Sequence, residues 1–236
     1  MPFRDEDRMQ ELKQATPARI GTGRAGTRPT TRELLKLRYD HAAAVDSVYG
    51  SVSTDLLAEL GLFIVDSGAV DQELYLRRPD LGRLLPDHSI QQLLQRCIPS
   101  PQVQLVVSDG LSAGAIEHNA GDLIPALLDS LQVQGLKAGT PFFVRNGRVG
   151  IMNAIGDILH PETIVLLIGE RPGLITSHSM SAYLCYRPCA GMTDSDRMVI
   201  SNIHQGGTPP VEAGAHIGSL IASMLKQKKS GVGLVQ

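Results

Sequence analysis

The chain has 236 residues, 42% of them hydrophobic and 19% charged, with a formal net charge of -2, enough for one sizeable core with or without a small appendage. It has no Trp, four Phe and five Tyr, so the core is aliphatic and an aromatic stacking platform for single-stranded nucleic acid is disfavoured. No apolar run nears the roughly 20 residues that span a bilayer, the start MPFRDEDRMQ has no apolar signal region, and Cys97, Cys185 and Cys189 are too few for a disulfide framework or a four-ligand zinc site, which suits a reducing cytoplasm.

Residues 1–15 read as a short polar helix or frayed arm, within an N-terminal arm of residues 1–29. Lys13, Arg19, Arg24, Arg28, Arg32, Lys36 and Arg38 face only Glu33, a net of six positive charges. A basic arm of this kind suits a partner protein, a phosphate group or nucleic acid, although the overall charge of -2 speaks against nucleic acid. Gly21-Thr22-Gly23-Arg24-Ala25-Gly26 is formally G-x-G-x-x-G. Only Ala18-Arg19-Ile20 precedes it and Pro29 interrupts the helix that should follow, so the context of a dinucleotide fingerprint is missing.

Residues 30–98 read as a mostly helical segment. Thr30 and Glu33 have capping-box spacing, and Leu34, Leu35, Ala42, Val45 and Val48 form an apolar stripe behind them. A second helix over 54–60 stops at Gly61. Phe63-Ile64-Val65 and Leu74-Tyr75-Leu76 read as short strands, and residues 89–97 as another helix.

From residue 99 to 236 apolar runs alternate with helical stripes. Strands are expected at 103–107, 141–144, 163–168, around Tyr183 and Cys185, and at 198–203. Helices are expected after Gly110, over 151–159, and after Thr208 as cap with Pro209 in first place. This alternation places the chain in the α/β class, as a mostly parallel sheet with helices on both faces, preceded by the helical segment. Ligands of such sheets bind beyond the carboxyl ends of the strands. The Gly147–Val149 loop, the Gly169–Gly173 loop and the loop entered by Ile203-His204 leave those ends.

No convincing catalytic set emerges from the residues. Gly110-Leu111-Ser112-Ala113-Gly114 matches G-x-S-x-G, with Asp194 or Asp196 and then His204 following in hydrolase order. Ser112, however, stands several residues past the end of its strand, where the strained nucleophile elbow cannot be. A stand-alone serine hydrolase is therefore the alternative reading. Asp194-Ser195-Asp196 reads as a turn and cap rather than a metal site, and the spacing of Cys185 and Cys189 is not that of a redox pair. Among the scattered histidines, His204 follows a strand in a Gly-rich loop, where a hydrogen-bonded structural role is expected. Glu170 is the more telling acid. It leaves a fully apolar strand, where a carboxylate is costly unless it binds something or pairs with Arg171.

The phrases SDGLSAGAI (108–116), GTPFFVRNGRVGI (139–151), LLIGERPGL (166–174), SAYLCYRP (181–188) and ISNIHQGGTPPVEA (200–213) stand in order along the chain. With TPARIGTGRAGTRPTTRELLKLRYDHA (16–42) and LYLRRPDLGRLL (74–85), they closely resemble the small subunit family of ethanolamine ammonia-lyase. The resemblance implies a Rossmann-like, non-catalytic subunit of an adenosylcobalamin-dependent lyase that converts ethanolamine to acetaldehyde and ammonia. It further implies a TIM-barrel large subunit as partner, which carries catalysis, with the cobalamin held at the interface. Val149, Glu170 and Val199 carry over as cobalamin contacts. The last can be Cys in relatives, so contact there is expected through backbone or packing rather than a thiol. Family members carry a long N-terminal extension, associated with solubility and with encapsulation in a bacterial microcompartment; little of this chain precedes residue 15.

Overall fold

A computed structural model describes residues 5–16 and 18–234, so the first four residues of the expected arm lie outside it. The chain opens with helix α1 (Asp5–Ala15), then a minimal antiparallel hairpin of β1 (Arg24–Ala25) and β2 (Arg28–Pro29). The hairpin stands where the formal G-x-G-x-x-G lies, and no strand-to-helix turn forms there. Helix α2 (Thr31–Tyr49) is capped by Thr30, whose Oγ1 accepts from the Glu33 amide at 3.5 Å. The Thr30 amide goes to the Gly23 carbonyl instead of the Glu33 side chain. Half of the capping box is thus traded for a tie to the hairpin. The apolar stripe on this helix is not buried: Leu34, Leu35 and Val45 are exposed by 39%, 49% and 40%.

Helix α3 (Thr54–Glu59) leads through Gly61 into strand β3 (Phe63–Asp66). The expected strand over 74–76 is instead inside helix α4 (Gln72–Arg77), because Asp71 caps it through the Leu74 amide at 2.8 Å. A single 3-10 turn (Leu81–Arg83) and helix α5 (Asp87–Arg96) follow. The rest of the chain comprises β4 (Val103–Ser108), α6 (Ala113–Val133), β5 (Phe142–Arg145), α7 (Ile151–Leu159), β6 (Thr163–Gly169), β7 (Met180–Tyr186), β8 (Arg197–Ile203) and α8 (Pro210–Gln227). The last helix starts one residue later than expected, with Pro209 as N-cap and Pro210 at its first position. Thr208 does not cap it. Its amide and carbonyl bond Asn202 and His204, closing the loop after β8.

Six strands form one sheet in the order β3-β5-β4-β6-β7-β8. The first four are mutually parallel; β7 runs antiparallel to β6, and β8, antiparallel to β7, returns to the direction of the first four. Strand β3, from the otherwise helical residues 30–98, is the parallel edge strand beside β5. Every residue of β4 and of β6 is buried, as central strands covered on both sides must be. One face packs α6 and α8 around Leu123, Leu127, Ile217 and Ile221. The other packs α5 and α7 around Leu93, Ile151, Met152 and Ile155. Helix α7 lies on β6, whereas α6 and α8 cover β7 and α8 covers β8 from the opposite face. On the α7 side beyond β6, Cys185 is buried against Met192, whereas Tyr183 and Val199 stay partly exposed, leaving an open corner. No helix among the described residues is long and apolar enough to cross a membrane.

Candidate functional site

Because β7 starts and β8 ends where β4, β5 and β6 end, five chain segments meet at one rim of the sheet. The rim is built from hydrogen bonds between neighbouring loops. Ser108 Oγ accepts from the Gly147 amide at 3.1 Å, and Asp109 Oδ1 accepts from the Asn146 amide at 2.8 Å. Asn146 holds φ +55°, donates through Nδ2 to the Ala69 carbonyl at 3.0 Å, and accepts from Ser67 Oγ at 2.9 Å. The Tyr75 hydroxyl donates to the Gly147 carbonyl at 3.1 Å, and the Arg148 guanidinium stacks 4.0 Å above the Tyr75 ring. Burial pushes the Tyr75 phenol well above its ordinary range, against the pull of the Arg148 charge.

Burial also pushes the Asp109 carboxyl up, to about 6, although the Asn146 amide, Ser108, the Gly110 amide and Arg145 all favour its ionised form. The native state therefore holds this proton more tightly than the unfolded chain does. Its contribution to stability is fully present below about pH 4 and is lost as pH rises towards 6. Asp109→Asn keeps an oxygen for the Asn146 amide and removes the titration. Its stability relative to wild type is expected to rise between pH 4 and 6 and to level off above. Parallel urea-unfolding curves for the two proteins across that range would contradict the shift.

The loop between β6 and β7 is tied down along its length. The Glu170 amide donates to the Ser179 carbonyl at 3.0 Å, and the Gly173 amide to the Thr176 carbonyl at 2.9 Å. The Ser177 carbonyl accepts from Ser47 Oγ at 3.0 Å and Ser112 Oγ at 2.7 Å. The His178 carbonyl accepts from Asn119 Nδ2 and the Leu174 carbonyl from Arg19, each at 2.7 Å.

Two adjoining hollows lie at the open corner. The smaller, about 310 Å³, is lined by Glu170, Ser181, Tyr183, Ser201, Arg148 and Val149 among others. The larger, about 650 Å³, continues past Arg148, Val149 and Tyr183 towards Arg83 and Arg197. Val149 thus lies at the junction of the two. Glu170 makes no ion pair with Arg171. Its Oε1 accepts from Ser181 Oγ at 2.5 Å and from the Asn202 amide at 2.9 Å. Its second oxygen has no partner among the described residues. Val199 is 51% exposed and pairs in register with Tyr183, which lines both hollows. Of the three residues singled out from the sequence, Val149 and Glu170 line the smaller hollow, and Val199 stands beside it through Tyr183 without lining either hollow. Tyr75, Arg148, Ser181 and Tyr183 complete the corner and were not singled out. Tyr75 was hidden by its misread strand, and the Asn202 donor is a backbone amide that no side chain advertises.

This corner offers what a corrinoid needs. Val149, Val199 and the Tyr183 ring are apolar surface that would suit the macrocycle the resemblance implies, and the unengaged Glu170 oxygen would accept from an amide. The buried Arg148 Nε, which has no partner, is an unused donor.

The serine-hydrolase alternative fails on geometry. Ser112 is 1% exposed and is the N-cap of α6, accepting from the Ala115 amide at 3.0 Å while its proton goes to Ser177. His204 bonds Asn202 Oδ1 at 2.9 Å and the Gly206 amide at 3.0 Å, the structural role expected of it. Asp194 pairs with Arg197 at 2.5 Å, and Asp196 closes a capping box with Thr193. These acids precede β8 and His204 follows it, so the strand's whole length, about 20 Å, separates them. Among the described residues no group of three or more His, Cys, Asp and Glu is placed to hold a metal ion.

Comparison with known proteins agrees with the phrases in these loops. The family described as ethanolamine ammonia-lyase light chain matches residues 6–235. An ethanolamine ammonia-lyase small subunit from Fusobacterium nucleatum is 48% identical over 96% of this chain and 77% of its own length. Those from Clostridium perfringens and Listeria monocytogenes are 45% and 46% identical, each over 98% of this chain and 78% of theirs. With the family spanning nearly the whole of the described fold, the chain belongs to the ethanolamine ammonia-lyase small subunits and is a member of a lyase complex.

Proposed function

We propose that this chain is the non-catalytic subunit that closes over adenosylcobalamin at an interface with a TIM-barrel large subunit. The observation that carries the reading is Glu170. Its carboxylate is oriented by Ser181 and the Asn202 amide, not neutralised by Arg171, and stands at an open hollow beside Val149. When bound, adenosylcobalamin supplies the radical chemistry for converting ethanolamine to acetaldehyde and ammonia. This chain's own part is to bind and orient. Glu170 accepts from a corrin side-chain amide, Val149 and Val199 pack against the macrocycle, and Tyr183 walls the hollow between them. The three free cysteines fit a reducing cytoplasm.

The test is to purify this chain alone and with its large subunit, and to assay ammonia release and corrinoid retention with adenosylcobalamin. Turnover is expected only from the pair. Ammonia release from this chain alone, or a pair that retains no corrinoid, would overturn the proposal.

A further inference from the structure

The larger hollow ends between two arginines that form no ion pair among the described residues, although the Asp80 carboxylate lies near enough to feel the Arg83 charge. Arg83 is exposed at the end of the 3-10 turn, and Arg148 follows β5. Their stems cross over each other's glycines. A Cβ at Gly82 would lie 2.7 Å from Arg148 Cγ, and one at Gly150 would lie 3.1 Å from Arg83 Cγ and Cδ. The Arg148 amide donates to the Gly82 carbonyl at 2.7 Å and locks the crossing. Both guanidiniums are thus carried out from one small junction.

Arg148 is held further by its stack on Tyr75 and by Nη2 donating to the Tyr75 carbonyl at 3.2 Å. Its buried Nε finds no acceptor. A desolvated guanidinium N–H left without a partner is costly, and an anion at the outer guanidinium nitrogens would offset that cost electrostatically. Helix α7 begins at the same junction with Gly150 as N-cap and no side-chain cap, adding the positive end of its dipole. The two acids lining this hollow are already engaged. Asp194 pairs with Arg197 at 2.5 Å, and Asp157 accepts from the Ala190 amide at 3.2 Å. Positive charge is left over at the Arg83–Arg148 end.

We propose that Arg83 and Arg148 bind a phosphate group, which in the assembled enzyme is the phosphodiester joining the corrin to its nucleotide base. This assignment rests on the cobalamin reading. Ethanolamine is a cation, ammonia is basic and acetaldehyde is neutral, so neither substrate nor product brings an anion. The corrin's side-chain amides are neutral. The phosphodiester is the one anionic group of the proposed ligand, and paired guanidinium forks match its oxygens.

The experiment measures equilibrium binding to the two-subunit complex by absorbance after ultrafiltration. The probes are cyanocobalamin, cobinamide phosphate, cobinamide without phosphate, and inorganic phosphate as competitor. Arg83→Gln and Arg148→Gln are each expected to weaken cyanocobalamin and cobinamide phosphate by about tenfold and to leave cobinamide unchanged. Arg83 is exposed, so its variant keeps the wild-type unfolding midpoint even where the Arg148 variant does not. Equal losses for all three corrinoids, or no loss for any, would overturn the phosphate assignment. If wild type binds no corrinoid yet retains radiolabelled inorganic phosphate on ultrafiltration, and both arginine variants lose it, the cobalamin reading fails and the ligand is a free phosphate.

Discussion

Alanine at Gly169 is expected to destabilise the fold by about 3 kcal/mol, the upper end of the usual overpacking range. A Cβ there would lie 2.2 Å from the Ser112 carbonyl and 2.4 Å from that of Asp109. Both are backbone atoms of the turn between β4 and α6, and a turn cannot swing aside as the tip of a side chain can. The same turn is bonded to β6, since the Leu111 amide donates to the Gly169 carbonyl at 3.1 Å. For a chain of this length the loss corresponds to a fall of about 6–12 °C in Tm. Gly121 supplies the control. It lies on the exposed side of α6, with nothing within 4 Å of a Cβ, so Gly121→Ala is expected to stabilise by about 0.5–1 kcal/mol through reduced chain entropy. Thermal unfolding of the two variants should move in opposite directions. Shifts of the same sign and size would refute the close approach at the end of β6.

Glu170→Ala is expected to weaken corrinoid retention by the two-subunit complex about 10- to 100-fold, the loss of one charge-assisted hydrogen bond. Alanine also releases Ser181 Oγ and the Asn202 amide, so part of any effect could come from a loosened strand end. Glu170→Gln separates the two. Its amide oxygen still accepts from Ser181 and Asn202, while its nitrogen donates where the second carboxylate oxygen accepted. The glutamine variant should keep the wild-type Tm and still lose corrinoid. Unchanged corrinoid affinity in both variants would make Glu170 purely a clamp between β6, β7 and β8.

Strand positions were legible because burial on both faces writes itself as unbroken apolar runs, as in β4 and β6. The order of the strands was not, since pairing is decided by crossovers that periodicity does not encode. The reversal at β7 had a physical cue. The ten-residue loop over 170–179 holds no helix, and a parallel return needs a crossover of a dozen or more residues. Two local patterns misled. Leu74-Tyr75-Leu76 resembles a strand, yet Asp71 caps the stretch into α4. The stripe of α2 has helical spacing, yet Leu34 and Leu35 remain exposed, because periodicity reports a face and not what covers it. At the site, Glu170 was legible as a carboxylate ending an apolar strand. Its partners were not: the Asn202 amide is 32 residues away, and the Arg148–Tyr75 stack joins residues far apart in the chain.

The loop after β6 has a consequence for how a ligand can arrive. Its carbonyls at Leu174, Ser177 and His178 are anchored to Arg19, to Ser47 and Ser112, and to Asn119, which places its ordering in the folding reaction. Such a segment is preorganised rather than a gate. Ligand capture then needs no local disorder-to-order transition on this chain, and the associated heat-capacity change reflects only the apolar area covered. Any slow, strongly temperature-dependent phase during holoenzyme assembly is therefore assigned to subunit docking and not to closure of this loop.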